Sequence, residues 1–316
     1  MTLNILILAA GLGTRMKSEK PKVMHEILGK PIVEYILQTS EEMRPSRTIL
    51  LISPKQDSIR EYFNDRNLCF AVQERQLGTG DAVKSALCVV EENADLMVLA
   101  GDVPMIKAET LKRLYDTHVK EKNCITFLTM VLADPKGYGR VKRNGGKIEA
   151  IVEEKDASDE IKKIQEVNSG LYVFSHEFLF RSIASLTNEN TQKEYYLTDL
   201  IKAAYKENAK TSAIVINDAD EVSGINDRKQ LSDIEQAMLT KRLSVLMLNG
   251  VTVRSPQTVY MDDSVKVEQG AEIGANVVLK GRTVIKERAV IGDFSYIKNH
   301  TVEKEMKIKP FTMLDE

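Results

Sequence analysis

Cations crowd a glycine turn near the start of the chain. In "LILAAGLGTRMKSEKPK", an apolar run stops at Gly11 and Gly13, and Arg15, Lys17, Lys20 and Lys22 follow. Glycine lacks a Cβ, so the backbone there can take positive φ and come close to a ligand. Successive N–H groups in such a turn form a concavity for anions. Thr14 adds a hydroxyl, and Arg15 and Lys22 add full charges. A plain chain reversal accounts for the two glycines equally well. Two common phosphate motifs fail here. Met16 stands where a dinucleotide fingerprint needs its third small residue, and no GxxxxGK[ST] occurs.

Two further segments carry chemistry. In "LMVLAGDVPMI", Asp102 follows an apolar strand, on the edge where open α/β sheets bind ligands. A carboxylate there suits Mg²⁺, which keeps several waters and shares phosphate oxygens; the competing reading is an Asp that only caps the turn shaped by Pro104. In "VQERQLGTGDAV", Gln73 offers an amide donor and acceptor. Uracil presents a matching ring N–H and carbonyls. Gly78, Thr79 and Gly80 open a helix and supply N–H groups and a hydroxyl nearby. A helix cap beside a solvated glutamine explains this segment as well.

Weaker signals follow. "PKGYGRV" contains Gly139, "IVEEKDA" Glu153, "VNSGLYVF" Asn168, and "EYYLTDLI" Tyr196 and Thr198. Each alone reads first as a tight turn, a surface acid run or a strand edge. In "EVSGINDRKQL", Asn226-Asp227-Arg228 reads as the start of a helix, with Asp227 the nearer to its cap.

The elements that must position these residues show in the apolar pattern. "LNILIL" is a short continuous apolar run, as a strand buried on both faces requires. "RTILLIS" and "ADLMVLAGD" match it. Between them, "PIVEYILQTS" places Ile32, Val33, Ile36 and Leu37 at helical spacing, and "GTGDAVKSALCVVEE" reads as a helix. Strand and helix alternate, so an α/β domain with a mostly parallel, Rossmann-like sheet is expected. "GYGRVKRNGGKIEAIVEEKD" predicts a hairpin lying over that sheet. A long helix is expected from Asp227, with Leu231, Ile234, Met238 and Leu246 near one stripe and Asn249-Gly250 as its stop. Beyond Gly250, Val267, Ile273, Leu279, Ile285, Ile291 and Ile297 recur every six residues. Ala271, Val277, Thr283, Ala289, Ser295 and Thr301 follow four residues after each. This hexapeptide period predicts a parallel β-helix of about two coils. The expected organisation is a catalytic domain over 1–226, a connecting helix over 227–250 and a short β-helix over 251–316.

Composition bounds the rest. The chain has 316 residues, 43% of them hydrophobic, enough to bury a sizeable core. Its net charge of −2 gives no general field for nucleic acid or an anionic membrane, so a phosphate must be held locally. No apolar run is long enough to span a bilayer, and the first residues lack a signal peptide's basic segment and cleavage site. Cys69, Cys88 and Cys124 are sparse and form no CxxC pair, which points to reduced thiols and a cytoplasmic setting.

In their order along the chain, these motifs resemble the sugar-phosphate nucleotidyltransferases (pyrophosphorylases), over the whole sequence. The resemblance implies that Leu8, Ala9, Ala10, Gly11, Gly13 and Thr14 wrap a nucleoside triphosphate. Arg15 faces the leaving pyrophosphate, and Lys22 neutralises the reacting phosphates. Gln73, Gly78, Thr79 and Gly80 resemble the base-recognition segment of the uridylyltransferases. Gly139, Glu153, Asn168, Tyr196 and Thr198 resemble the sugar pocket of members that take N-acetylglucosamine 1-phosphate. Asp102 and Asn226 would hold Mg²⁺. The implied reaction is attack of that sugar phosphate on UTP, giving UDP-N-acetylglucosamine and pyrophosphate. Another sugar 1-phosphate is the alternative acceptor, and a non-catalytic regulatory subunit a more distant one. Ala100 departs from relatives with a larger or polar residue there, so one sugar or ribose contact is expected to be missing. Longer members carry an acetyl-CoA-dependent acetyltransferase in a left-handed β-helix. Only His300 of the four histidines falls in that portion here, and the chain ends before such a site, so that activity is expected to be absent. Relatives trimerise through the β-helix; monomer and homotrimer both stay open for this chain.

Overall fold

Apolar side chains alternate along each central strand, and the alternation feeds two cores. The computed structural model describes residues 2–315. In chain order the elements are β1 (Thr2–Leu8), the short pair β2 (Glu26–Ile27) and β3 (Lys30–Pro31), α1 (Ile32–Glu42), β4 (Arg47–Ile52), α2 (Asp57–Tyr62), β5 (Cys69–Val72), α3 (Thr79–Ala86), β6 (Ala94–Ala100), α4 (Ala108–Glu121), β7 (Ile125–Val131), β8 (Arg140–Asn144), β9 (Lys147–Val152), α5 (Asp159–Lys162), β10 (Glu166–Phe174), α6 (His176–Ser182), α7 (Asp199–Lys206), β11 (Thr211–Ile216) and α8 (Arg228–Leu248). Ile5, Ile7, Leu50, Met97 and Leu99 face one core with Val33, Ile36 and Leu37 of α1. Leu6, Leu51, Leu96 and Val98 face the other with Ala82, Val83 and Ala86 of α3. Burial on both faces is why these strands read as unbroken apolar runs.

The main sheet has nine strands, with the path β11-β7-β10-β6-β1-β4-β5. Strands β6, β1, β4 and β5 run parallel, as expected. β10 is antiparallel to both its neighbours, β6 and β7. The expected hairpin is present as β8 and β9, with Gly145 and Gly146 at positive φ in its turn. It joins the sheet through pairing of β8 with β10 at Arg140 and Val167, and does not lie over it.

Two compact units result. One takes the residues up to Met24 with Ile32–Gly224; the other takes His25–Pro31 with the residues from Ile225 onward. The small β2–β3 hairpin thus belongs with α8 and the β-helix. On α8, Asp227 accepts a hydrogen bond from the Gln230 N–H at 2.9 Å, the cap that its position predicts. The residues α8 buries are Leu239 and Leu243, which the sequence stripe did not single out.

The last region is a three-sided parallel β-helix, as the six-residue period requires. Its strands stack in sheets of four, four and three, more than the two coils expected. The surplus comes from both ends of the periodic run. Thr252–Val253 and Tyr260–Met261 precede Val267. After Ile297 the repeat shortens by one residue: Val278 pairs with Tyr296, eighteen residues on, but Val284 pairs with Thr301, seventeen on. The small residues Ala271, Val277, Thr283, Ala289 and Ser295 are buried, whereas the shortened turn leaves Thr301 exposed.

Candidate active site

Parallel strands put their following loops on one edge. Leu8 is in register with Leu51 and Ala100, and Ile52 with Val72. The glycine loop, Gln73 and Asp102 therefore all lie off the carboxyl edge of the sheet. Because β10 runs the other way, with Tyr172 opposite Val98, its earlier residue Asn168 reaches the same edge.

The loop is pinned at its start and middle. The Ala9 N–H donates to Leu51 O, Gln56 Nε2 to Ala9 O, and Ala9 and Ala10 are buried. Gly13 sits in the left-handed region at φ 58° and opens a short 3-10 turn, Thr14–Met16, anchored by buried Met16. A Cβ on Gly13 would come within 2.7 Å of Lys22 Cβ, so this glycine lets Lys22 pack beneath the loop. Gly11 does not take positive φ, and a Cβ there would meet nothing within 4 Å. Its role is an unobstructed face, not a turn. Thr14 and Arg15 are exposed.

Lys22 forms an ion pair with Asp102, both side chains largely sheltered. Asp102 owes its place to Gly101, whose N–H donates to Leu8 O at 2.9 Å and whose Cβ would strike that oxygen at 2.6 Å. Only glycine allows the ends of β1 and β6 to meet so closely. Gly224 also backs onto the carboxylate: a Cβ there would lie 3.5 Å from Asp102 Oδ2. Tyr138, between Gly137 and Gly139, is near enough that its phenol pKa is raised, by burial first and by the Asp102 charge next. Gly101, Gly224 and Tyr138 were not picked out from sequence; the "GYG" triplet was the available signal for Tyr138. Buried Arg140, 2.7 Å from Glu154 and bonded to Tyr138 O, stiffens that triplet and was likewise missed.

Gln73 is buried at the end of β5, its N–H donating to Ile52 O. Its amide donates to Asp81 Oδ2 at 2.8 Å and to Gly78 O at 3.2 Å. Gly78, at φ 109°, touches the 194–195 segment so closely that a Cβ would clash with Tyr195 O at 2.6 Å. The Gly80 N–H donates to that oxygen, and the Thr79 hydroxyl accepts from the Leu197 N–H. These two groups therefore bind α3 to the chain before α7, leaving the Gly78 N–H and the Thr79 hydroxyl proton at this turn.

The remaining candidates form two linked groups. Thr198 donates to Glu153 at 3.0 Å, a Cβ on Gly139 would lie 3.4 Å from the same carboxylate, and the Asn168 N–H donates to Gly139 O. Asn168 Nδ2 donates to the buried Tyr172 hydroxyl. Burial, reinforced by Asp156, Asp199 and Glu194 and opposed by the Thr198 hydrogen bond, raises the pKa of Glu153. Tyr196 donates to Asp156 at 3.1 Å and is pushed up to about 12, chiefly by burial. Asn226 belongs to the other unit, where its N–H donates to Gln230 Oε1. Among the described residues, no cluster of three or more His, Cys, Asp and Glu side chains is placed to hold a metal. Among the same residues, no helix is long and apolar enough to cross a membrane.

A glycine loop, a lysine and a carboxylate thus gather off the carboxyl edge of the sheet, where open α/β sheets bind ligands. Residues 4–239 match the family described as nucleotidyl transferase, and the chain belongs to it. The chain is 40% identical over 306 residues to the bifunctional protein GlmU of Fervidobacterium nodosum, covering 97% of this chain and 66% of that relative, just under two thirds of its length. Among solved structures, UDP-glucose pyrophosphorylase complexed with UDP-glucose is similar at TM-score 0.63 and 19% identity, over 77% of this chain and all of that one. The apo form of a UDP-glucose pyrophosphorylase gives 0.61 and 20% over the same shares. Both show the fold alone.

Proposed function

We propose that the chain transfers UMP from UTP to N-acetylglucosamine 1-phosphate, releasing pyrophosphate and UDP-N-acetylglucosamine. The observation that carries this is the pairing of Lys22 with Asp102 beneath the glycine loop, off the same sheet edge as the buried amide of Gln73. Two anions must be brought together, and their repulsion in a sheltered site is large. The residues' work is therefore positioning and charge neutralisation, with a phosphate oxygen of the sugar as nucleophile. Lys22 serves the reacting phosphates and exposed Arg15 the departing pyrophosphate. Glu153, held by Thr198, accepts sugar hydroxyls together with Gly139, Asn168 and Tyr196.

Asp102 fits Mg²⁺: it is a hard oxygen donor on a partly open edge, with one lysine as ion-pair partner. When bound, Mg²⁺ supplies further neutralisation of the reacting phosphates. Asn226 is proposed as a second ligand on sequence grounds alone. Acetyl transfer is not part of the proposal for this chain. The cytoplasmic setting and trimerisation through the β-helix are carried as proposals; three free cysteines agree with the former.

The test is pyrophosphate release from UTP across a panel of sugar 1-phosphates, with Mg²⁺ and with chelator. Release specific to N-acetylglucosamine 1-phosphate and abolished by chelator is expected. Equal release with glucose 1-phosphate removes the sugar assignment, and chelator-resistant release removes the metal.

A further inference from the structure

The hydrogen bonds around Gln73 fix which end of its amide a ligand meets. Gln73 is only 4% exposed, so its side chain has little freedom to turn. Both protons of Nε2 have acceptors: Asp81 Oδ2 at 2.8 Å and Gly78 O at 3.2 Å. Reversing the amide would press its carbonyl oxygen against a carboxylate and a backbone carbonyl, two contacts between acceptors. The observed orientation leaves Oε1 without a protein partner, yet it is not among the fully buried unpaired atoms. A buried amide thus presents an acceptor, and only an acceptor, to whatever enters.

We infer that Asp81 is a specificity-determining positioning residue. By holding Gln73 Nε2, it turns Oε1 toward the ring N–H of a pyrimidine that carries one, and so selects uracil over cytosine. This deepens the proposed function and rests on its reading of Gln73 as the base contact. Cytosine offers a lone pair at the ring position where uracil offers a proton. With the amide locked, that lone pair meets Oε1 and neither partner can adapt. With the amide free to flip, Nε2 can turn outward and donate to cytosine, so discrimination falls. A site built around a specific hydrogen bond rejects the analogue that cannot make it far more strongly than an apolar pocket does. The sequence offered "QLGTGDAV" as a turn and a helix start; only the fold shows that Asp81 reaches back eight residues to Gln73.

The experiment compares kcat/KM for UTP and CTP in the full chain, in Asp81→Ala and in Asp81→Asn. Asp81→Ala is expected to lose about tenfold or more of the UTP preference, mainly through KM, as expected when a buried amide loses its acceptor. Asp81→Asn, which keeps a carbonyl for Nε2, should retain most of it. An unchanged UTP:CTP ratio in Asp81→Ala, or an Asn variant as unselective as the Ala variant, overturns the inference. The unsubstituted chain supplies an independent check with 3-methyl-UTP, which lacks the ring proton. Rejection comparable to that of CTP is expected, and acceptance as good as that of UTP sinks the role of Oε1 whatever the variants do. If the unsubstituted chain shows no UTP preference at all, the base reading of the proposed function fails, and this inference fails with it. If that preference is present but indifferent to Asp81, the inference alone fails.

Discussion

Asp102→Ala removes the carboxylate against which Lys22 rests. The proposed chemistry is almost wholly electrostatic, so turnover should fall by about two orders of magnitude, the scale seen when other transition-state charge stabilisers are lost. The pair is sheltered but not sealed, and its worth to folding is about 1 kcal/mol or less. Pyrophosphate release and a urea titration on the same sample separate the two effects. A loss of stability without loss of turnover removes Asp102 from the chemistry. A second prediction concerns His118, buried on α4 with Nδ1 3.0 Å from Thr126 Oγ1, and with its pKa lowered to about 4 by burial. The unfolded chain takes up a proton near the ordinary value of about 6.5. A base whose folded pKa is depressed gives stability that is complete above the unfolded value. That stability drains away as pH falls from there to about 4, and roughly 3 kcal/mol is at stake. His118→Gln should flatten this part of the stability–pH curve; an unchanged slope assigns it to other groups.

At the scale of elements, legibility followed burial. β1, β4 and β6 were readable because both faces are covered, which leaves a continuous apolar run. Asp102 was readable because it follows such a run. Gly101, Tyr138 and Asp81 were not, since their importance lies in Leu8 packed against Gly101, the charge of Asp102 felt at Tyr138, and the bond from Gln73 to Asp81, none of which periodicity encodes. The β-helix was readable while its six-residue period held, and misread where one turn lost a residue after Ile297. α8 shows a different limit. Its ends were legible in Asp227 and Asn249-Gly250, but a helix covered along only part of its length has no full stripe, and Leu239 and Leu243 escaped notice. The cap itself is testable. Asp227→Ala forfeits the bond to the Gln230 N–H and should cost about 1 kcal/mol, while Asp227→Asn should cost little. Chemical denaturation checks both, and equal midpoints for Ala and the unsubstituted chain would assign the cap no energy.

For the whole molecule, the decisive feature is that the chain passes between the two units three times: after Met24, after Pro31 and after Gly224. The sequence reading assigned 1–226 to one catalytic domain, and His25–Pro31 falls inside that span. The β2–β3 hairpin follows Lys22 almost at once yet belongs to the unit of α8 and the β-helix, where it finds its partners. The Leu28 N–H donates to Glu235 Oε1 at 2.9 Å, and Leu28 O accepts from the Asp263 N–H at 2.8 Å. Lys30 pairs with Asp263 at 2.5 Å. Gly29, at φ 78°, leaves no room for a Cβ, which would lie 2.7 Å from the Asp262 carboxyl carbon. Ile27 and Leu28 are buried in this setting. A chain ending at Gly224 keeps the hairpin but loses every one of these partners. Two large apolar side chains return to water at about 1.5–3 kcal/mol each, beside backbone groups that have lost their hydrogen bonds. The truncated chain should melt at a lower temperature than the full one and bind a hydrophobic dye that the full chain excludes. Because the disturbed segment begins three residues after Lys22, its pyrophosphate release should fall as well. A truncated chain with the full chain's melting temperature, dye exclusion and turnover would show that the hairpin needs no partner, and that the boundary at residue 226 is a true domain end.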